Sequence, residues 1–148
     1  MYTHLLLPTD GSSLSNRAID EGLALAREVG ARVTVLTIVE PMRSYSASSE
    51  MVADVLAKFE ATSRENAEKV LQAAADKASA LGVQADTTFA NASSPHREII
   101  STATNAGCDL IVMASHGRRG IDALLLGSVT QKVLTHSHTP VLVIRRGN

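Results

Sequence analysis

The chain has no tryptophan and only two tyrosines and two phenylalanines among its 148 residues. Platforms that stack single-stranded nucleic acid are built from aromatic side chains, so that mode of binding has little to work with here. A formal charge of -1, from 14 Lys and Arg against 15 Asp and Glu, leaves no basic footprint for a duplex either. The one cysteine, Cys108, excludes an intrachain disulfide, and its place just before an apolar run marks it as a small core filler. No apolar run approaches the ~18 residues of a membrane span. Pro8 and Asp10 interrupt the first apolar run before it could read as a secretory signal. The expectation is a cytoplasmic protein with neither a membrane nor a nucleic acid as partner.

Several catalytic signatures are also missing. There is no GxxxxGK[ST] loop, no GxGxxG after the first strand and no GxSxG elbow. His136 and His138 have no Cys or carboxylate close in sequence to complete a metal set. The crevice loops described below carry no acid and base carboxylate pair. No catalytic and no metal-ligating residue is therefore assigned, and the sequence names a binding site more readily than an enzyme.

What the chain does have is aliphatic alternation of strand and helix. Leu5-Leu6-Leu7, the run VTVLTIV over 33–39, LIVMA over 110–114 and VLVI over 141–144 read as buried strands. A weaker strand over 83–91 fits a sheet edge. Apolar residues spaced three and four apart predict helices over 14–29, over 51–81 with a break near Thr62 and Ser63, over 95–105, and from Val129 onward. Ser12 or Ser13, Ser94 and Ser128 stand at the helix starts, and Gly30, Gly82 and Gly107 at the stops. The polar, serine-rich residues 40–50 read as a loop. Strand and helix alternating along the whole chain imply an α/β protein, a single-domain three-layer sandwich over 1–148 with a five-stranded parallel sheet. Its order is 2-1-3-4-5, as in flavodoxin, or 3-2-1-4-5.

The stretch from Leu110 to Thr130 carries the chemistry. A buried strand runs into Ser115-His116-Gly117, nine residues follow, and Gly127-Ser128 then opens a helix. Glycines permit close backbone approach, and a helix N-terminus offers unpaired N–H groups and a positive dipole end to an anion. This is the pattern of a phosphate cradle. Asp10, after the first strand, is suited to a ribose hydroxyl or a base amine, or else to an Asx turn that caps the first helix. His116, Arg118 and Arg119 are further donors for phosphate. In the 3-2-1-4-5 order the ends of strands 1 and 4 share one crevice, which brings Pro8-Thr9-Asp10 and Ala114 to Gly117 together.

These motifs resemble the universal stress protein family of the nucleotide-binding kind. Its signature G-x2-G-x9-G-[ST] is matched by Ala114, Gly117 and Gly127-Ser128, with Ala114 where the family has glycine. The N-terminal PTDGS and the closing TPVLVIRR agree as well, so the resemblance spans the chain. It implies the order 3-2-1-4-5, as in the adenine-nucleotide alpha-hydrolase-like folds, and a stress-response regulator that binds ATP, AMP or ADP. Pro8, Thr9 and Asp10 would line the adenosine end and Ile38 would meet adenine. Met113, Ala114, His116 and Gly117 would wrap ribose and phosphates, with Arg118 and Arg119 near the tail. Gly127, Ser128, Val129 and Thr130 would supply the helix N-terminus, and Mg²⁺ would accompany a triphosphate. A homodimer through the last strand, Val141–Ile144, is implied too, since that edge would leave an apolar ladder unpaired. Slow ATP hydrolysis and a nucleotide-free dimeric interaction module stay open as alternatives.

Overall fold

The computed structural model describes residues 1–42, 49–117 and 125–147. Its elements follow in the order β1 (His4–Pro8), α1 (Ser13–Val29), β2 (Arg32–Val39), α2 (Ser49–Leu81), β3 (Ala85–Asn91), α3 (Pro95–Ala106), β4 (Leu110–Ala114), α4 (Ser128–His136) and β5 (Val141–Ile144). The strands form one parallel sheet of order β3-β2-β1-β4-β5. That is the second of the two orders left open by the strand pattern and the one the resemblance implies.

Side-chain alternation along the central strands explains the three layers. On β1, Leu5 and Leu7 face one way and join Val33 and Val35 of β2 and Leu110 and Val112 of β4 beneath α1 and α2. Leu6 faces the other way and meets Leu36, Ile111 and Met113 beneath α3 and α4. All three leucines are fully buried, as a strand covered on both faces requires. Helix α1 sits close on β1 because Gly22 has no side chain: a Cβ there would fall 2.5 Å from Leu7 Cδ2.

Cys108 is buried in the cluster under α3, and burial first of all pushes its thiol up to about 11. It is an inert filler, as the sequence indicated.

Three local expectations need correction. Helix α2 runs unbroken through Thr62 and Ser63, because no Gly or Pro stands between Ser49 and Leu81. Hydroxyl residues alone lower helix propensity without breaking the backbone ladder. Its second half is the better anchored: Ala67, Leu71, Ala74 and Ala78 are buried, whereas Val55 in the first half is 49% exposed. Strand β3 begins at Ala85, since Val83 still belongs to the helix ending, its N–H donating to the Ala78 carbonyl at 2.9 Å. The third difference is Ser128, which is the first helical residue of α4; Gly127 takes the cap position. Most of the loop expected over 40–50 lies outside the described residues.

Candidate functional site

The chain leaves β1 toward β2 and β3, then crosses back to place β4 on β1's other side. At that reversal the loops after β1 and β4 turn opposite ways and leave a crevice. The crevice is an open cleft of about 190 Å³, its floor made by Pro8, Thr9, Met113 and Ala114, with Asp10, His116 and Gly117 at the rim. Ile38 of β2 and Val129 and Thr130 of α4 complete it.

The loop after β1 is held by its own polar groups. The Thr9 N–H donates to the Leu36 carbonyl at 2.9 Å, and Thr37 Oγ1 donates to the Thr9 carbonyl at 3.1 Å. Ser15 Oγ donates to Thr9 Oγ1 at 2.8 Å and accepts the Asp10 N–H at 3.1 Å. Ser12 caps α1, its side chain accepting from the Ser15 N–H at 3.3 Å. Asp10 Oδ1 accepts the Ser12 N–H at 3.0 Å, which is the Asx turn that the sequence held open. The other carboxylate oxygen, Oδ2, is directed at Gly117, where any Cβ would overlap it and lie 3.3 Å from Asp10 Cγ. Asp10 thus serves the turn with one oxygen and meets the opposite loop with the other.

On that opposite side the chain is pinned on the near side of Gly117 and again at Gly127. The Gly127 N–H donates to the Ser115 carbonyl at 2.7 Å, and Thr130 Oγ1 donates to the Ala114 carbonyl at 2.9 Å. A Cβ on Gly127 would fall 3.2 Å from His116 Cα, His116 Cβ and the Ser115 carbonyl oxygen, so a side chain here would press on the opposite backbone and glycine gives the close fit. Its amide is consumed inside the protein, and the amides left without an intrahelical partner are those of Ser128, Val129 and Thr130. They sit at the positive end of α4. His116 is buried, its Nδ1 3.2 Å from Ser115 Oγ. The Ala114 methyl packs in the cluster beneath α1.

Of the residues singled out from sequence, Pro8, Thr9, Asp10, Ile38, Met113, Ala114, His116, Gly117, Val129 and Thr130 line one cleft. Gly127 lies behind it against His116, and Ser128 begins the helix at its edge. Arg118 and Arg119 lie outside the described residues. Sequence reading missed Ser15, Leu36, Glu40, Pro95 and Ile99, which also line the cleft. Glu40 directly follows β2, so the strand-end rule applied to β2 as well as β1 and β4 would have found it. Pro95 and Ile99 are one turn apart at the start of α3, and only the packing of α3 beside α4 brings them there. Among the described residues no three His, Cys, Asp or Glu side chains group to hold a metal ion, and no helix is long and apolar enough to cross a membrane.

This architecture has known counterparts. The family model described as "Universal stress protein family" matches residues 1–145. Universal stress protein YxiE of Bacillus subtilis is 34% identical over 149 residues, covering 98% of this chain and all of its own. Universal stress protein MJ0531 of Methanocaldococcus jannaschii is 31% identical, over 99% of this chain and 84% of its own. Among solved structures, MJ0577 of the same archaeon superposes with a TM-score of 0.84 at 28% identity, over 100% of this chain and 99% of that one. A universal stress protein solved in complex with cAMP superposes with a TM-score of 0.71 at 25% identity, over 99% of both chains. From its first strand to its last, this chain belongs to the universal stress protein family.

Proposed function

We propose that the cleft binds an adenine nucleotide, ATP or its products ADP and AMP, and that the protein acts in the stress response as a nucleotide-dependent sensor or switch. The observation that carries this reading is the meeting of Asp10 with Gly117, in one crevice, beside the N-terminus of α4. The cAMP-bound relative supports an adenine nucleotide as the ligand class.

The charges orient the ligand. Asp10 and Glu40 rim the β1 and β2 side, where carboxylates attract hydroxyl and amine donors and repel phosphate. Adenosine therefore belongs on that side, with Ile38 and Leu36 as its apolar wall and Pro8, Thr9 and Asp10 about the ribose. Phosphates belong at α4, where the Ser128, Val129 and Thr130 amides and the helix dipole favour negative charge. Gly117 and Gly127 keep the backbone close, Met113 and Ala114 floor the path with His116 at its rim, and Arg118 and Arg119, next in sequence, are the candidates for pairing with the phosphate tail. With no carboxylate cage among the described residues, Mg²⁺ would ride on the phosphate oxygens of a triphosphate.

The working unit is one nucleotide-binding domain over 1–148, acting in the cytoplasm as a homodimer. Its interface is the edge strand β5, where Leu142 is 41% exposed. Isothermal calorimetry with ATP and AMP tests the ligand: saturable binding with one nucleotide per chain is expected, and no heat at millimolar nucleotide overturns the reading. Sedimentation at micromolar protein tests the assembly, and a monomeric mass removes the dimer.

A further inference from the structure

A second groove lies between α3 and α4, lined by His96, Arg97, Ile100, Ser101 and His136, with a volume of about 370 Å³. We propose that this groove binds a phosphate-type oxyanion and takes up a proton when it does so. The site is distinct from the nucleotide cleft, although helix α3 walls both: Pro95 and Ile99 face the cleft, while His96, Arg97 and Ile100 face the groove.

The argument begins with the two imidazoles. Their ring centroids are 5.9 Å apart with the planes tilted by 35°, close enough that two charged rings would repel across the gap. Ser94 Oγ lies 3.3 Å from His96 Nδ1 and fixes the ring, which leaves Nε2 as its other polar atom. Around His96 the charges are one-sided. Arg97 comes from its own helix and Lys132 and His136 from α4, and all three disfavour its protonation, after a larger contribution from desolvation. Glu98, the acidic residue in that first turn, lies 3.5 Å from Thr102 Oγ1 and does not line the groove. Basic side chains are also the wrong sign for a helix N-terminus, and His96 and Arg97 stand in the first turn of α3.

The groove joins one guanidinium to two imidazoles with no carboxylate in its lining, so positive charge predominates there. An oxyanion resolves it at once, offering acceptors to the Arg97 guanidinium, the Ser101 hydroxyl and both rings. A bound dianion reverses the sign of the field at His96 and favours the imidazolium. Proton uptake then accompanies binding, and affinity rises as pH falls toward the histidine range. A divalent cation is the chemistry disfavoured here, since Arg97 and Lys132 repel it and, among the described residues, no third ligand groups with the two rings.

The test is a titration of the 148-residue chain with sulfate, a tetrahedral oxyanion that stays a dianion across this pH range, at constant ionic strength, followed through the histidine ring resonances. Saturable shifts of His96 and His136 are expected, absent with chloride. The apparent affinity should rise about threefold or more between pH 7.5 and pH 6. The double variant Arg97→Gln with His136→Gln alters exposed side chains, should keep the fold, and should lose the His96 response while AMP binding in the cleft is unchanged. No saturable shift, a shift confined to His116, or an affinity independent of pH overturns the proposal. So does tight one-to-one uptake of Zn²⁺ in phosphate-free buffer through the same two rings, which would make the groove a cation site.

Discussion

The two ends of the sheet are made from the same strands and treat their polar groups in opposite ways. At the amino end the Asp109 carboxylate accepts from the Thr3 N–H at 2.8 Å, the Thr3 hydroxyl at 2.8 Å and the His4 N–H at 3.0 Å. Its own N–H donates to the His4 carbonyl at 2.9 Å, and His4 Nε2 pairs with Thr34 Oγ1 at 2.8 Å. Helices α1 and α3 finish there in left-handed glycines, Gly30 and Gly107, which return the last carbonyls to backbone donors. At the carboxyl end the helices begin, so their unpaired groups are N–H donors and their dipoles are positive. One end closes on itself and holds the fold; the other keeps a cleft with directed donors.

That contrast breaks most sharply at Gly117. Replacing it with Val forces the Asp10 carboxylate aside, and adenine-nucleotide affinity should fall about 100-fold by calorimetry, the scale of a lost hydrogen bond to a charged group. Thermal stability should barely change, because Gly117 is exposed. Asp109→Ala should do the reverse, lowering unfolding free energy by about 2 kcal/mol in urea while nucleotide affinity holds.

The pH response sharpens the same point. Desolvation, then Arg32, lowers the His4 pKa from its ordinary 6.5, so the fold prefers the neutral ring. Below 6.5 the unfolded chain takes up a proton that the native chain refuses, and stability declines as pH falls toward the folded value. For Asp109 burial pushes upward, but the N–H groups of His4 and Thr3 and the Thr3 hydroxyl outweigh it and hold the carboxyl below 3.8. Its contribution is complete above 3.8 and is lost as pH falls through the folded value. Urea midpoints of the parent should therefore drop in two stages on acidification, and His4→Gln should remove the upper one. The smallest expected effect separates two serines. Ser12→Ala should cost about 1 kcal/mol as a true cap, whereas Ser128→Ala, in the first turn of α4, should stay within about 0.5 kcal/mol.

Much of this was legible in the sequence because it is local. Runs such as Leu5-Leu6-Leu7 and LIVMA declare doubly buried strands, and the helix stops at Gly30 and Gly107 follow from backbone conformation alone. The choice between two strand orders was not local, and periodicity left it open until the resemblance to a family decided it. Contacts over long sequence separations were hidden in the same way. Nothing near Gly127 announces that it packs on His116, nothing in α3 announces that Ile99 faces the cleft, and the approach of His96 to His136 appears only once the helices are side by side.

The short bond from Gly127 to Ser115, backed by Thr130 on Ala114, clasps the end of β4 to the start of α4, which nine residues of sequence between Gly117 and Gly127 separate. Because the cost of closing a chain segment grows by only about 0.6 kcal/mol for each doubling of its length, such a clasp holds the two strand ends together whatever length of sequence joins them. Changes of sequence or length between the two glycines should therefore leave the floor of the cleft in place, so this stretch can diverge while the scaffold stays fixed.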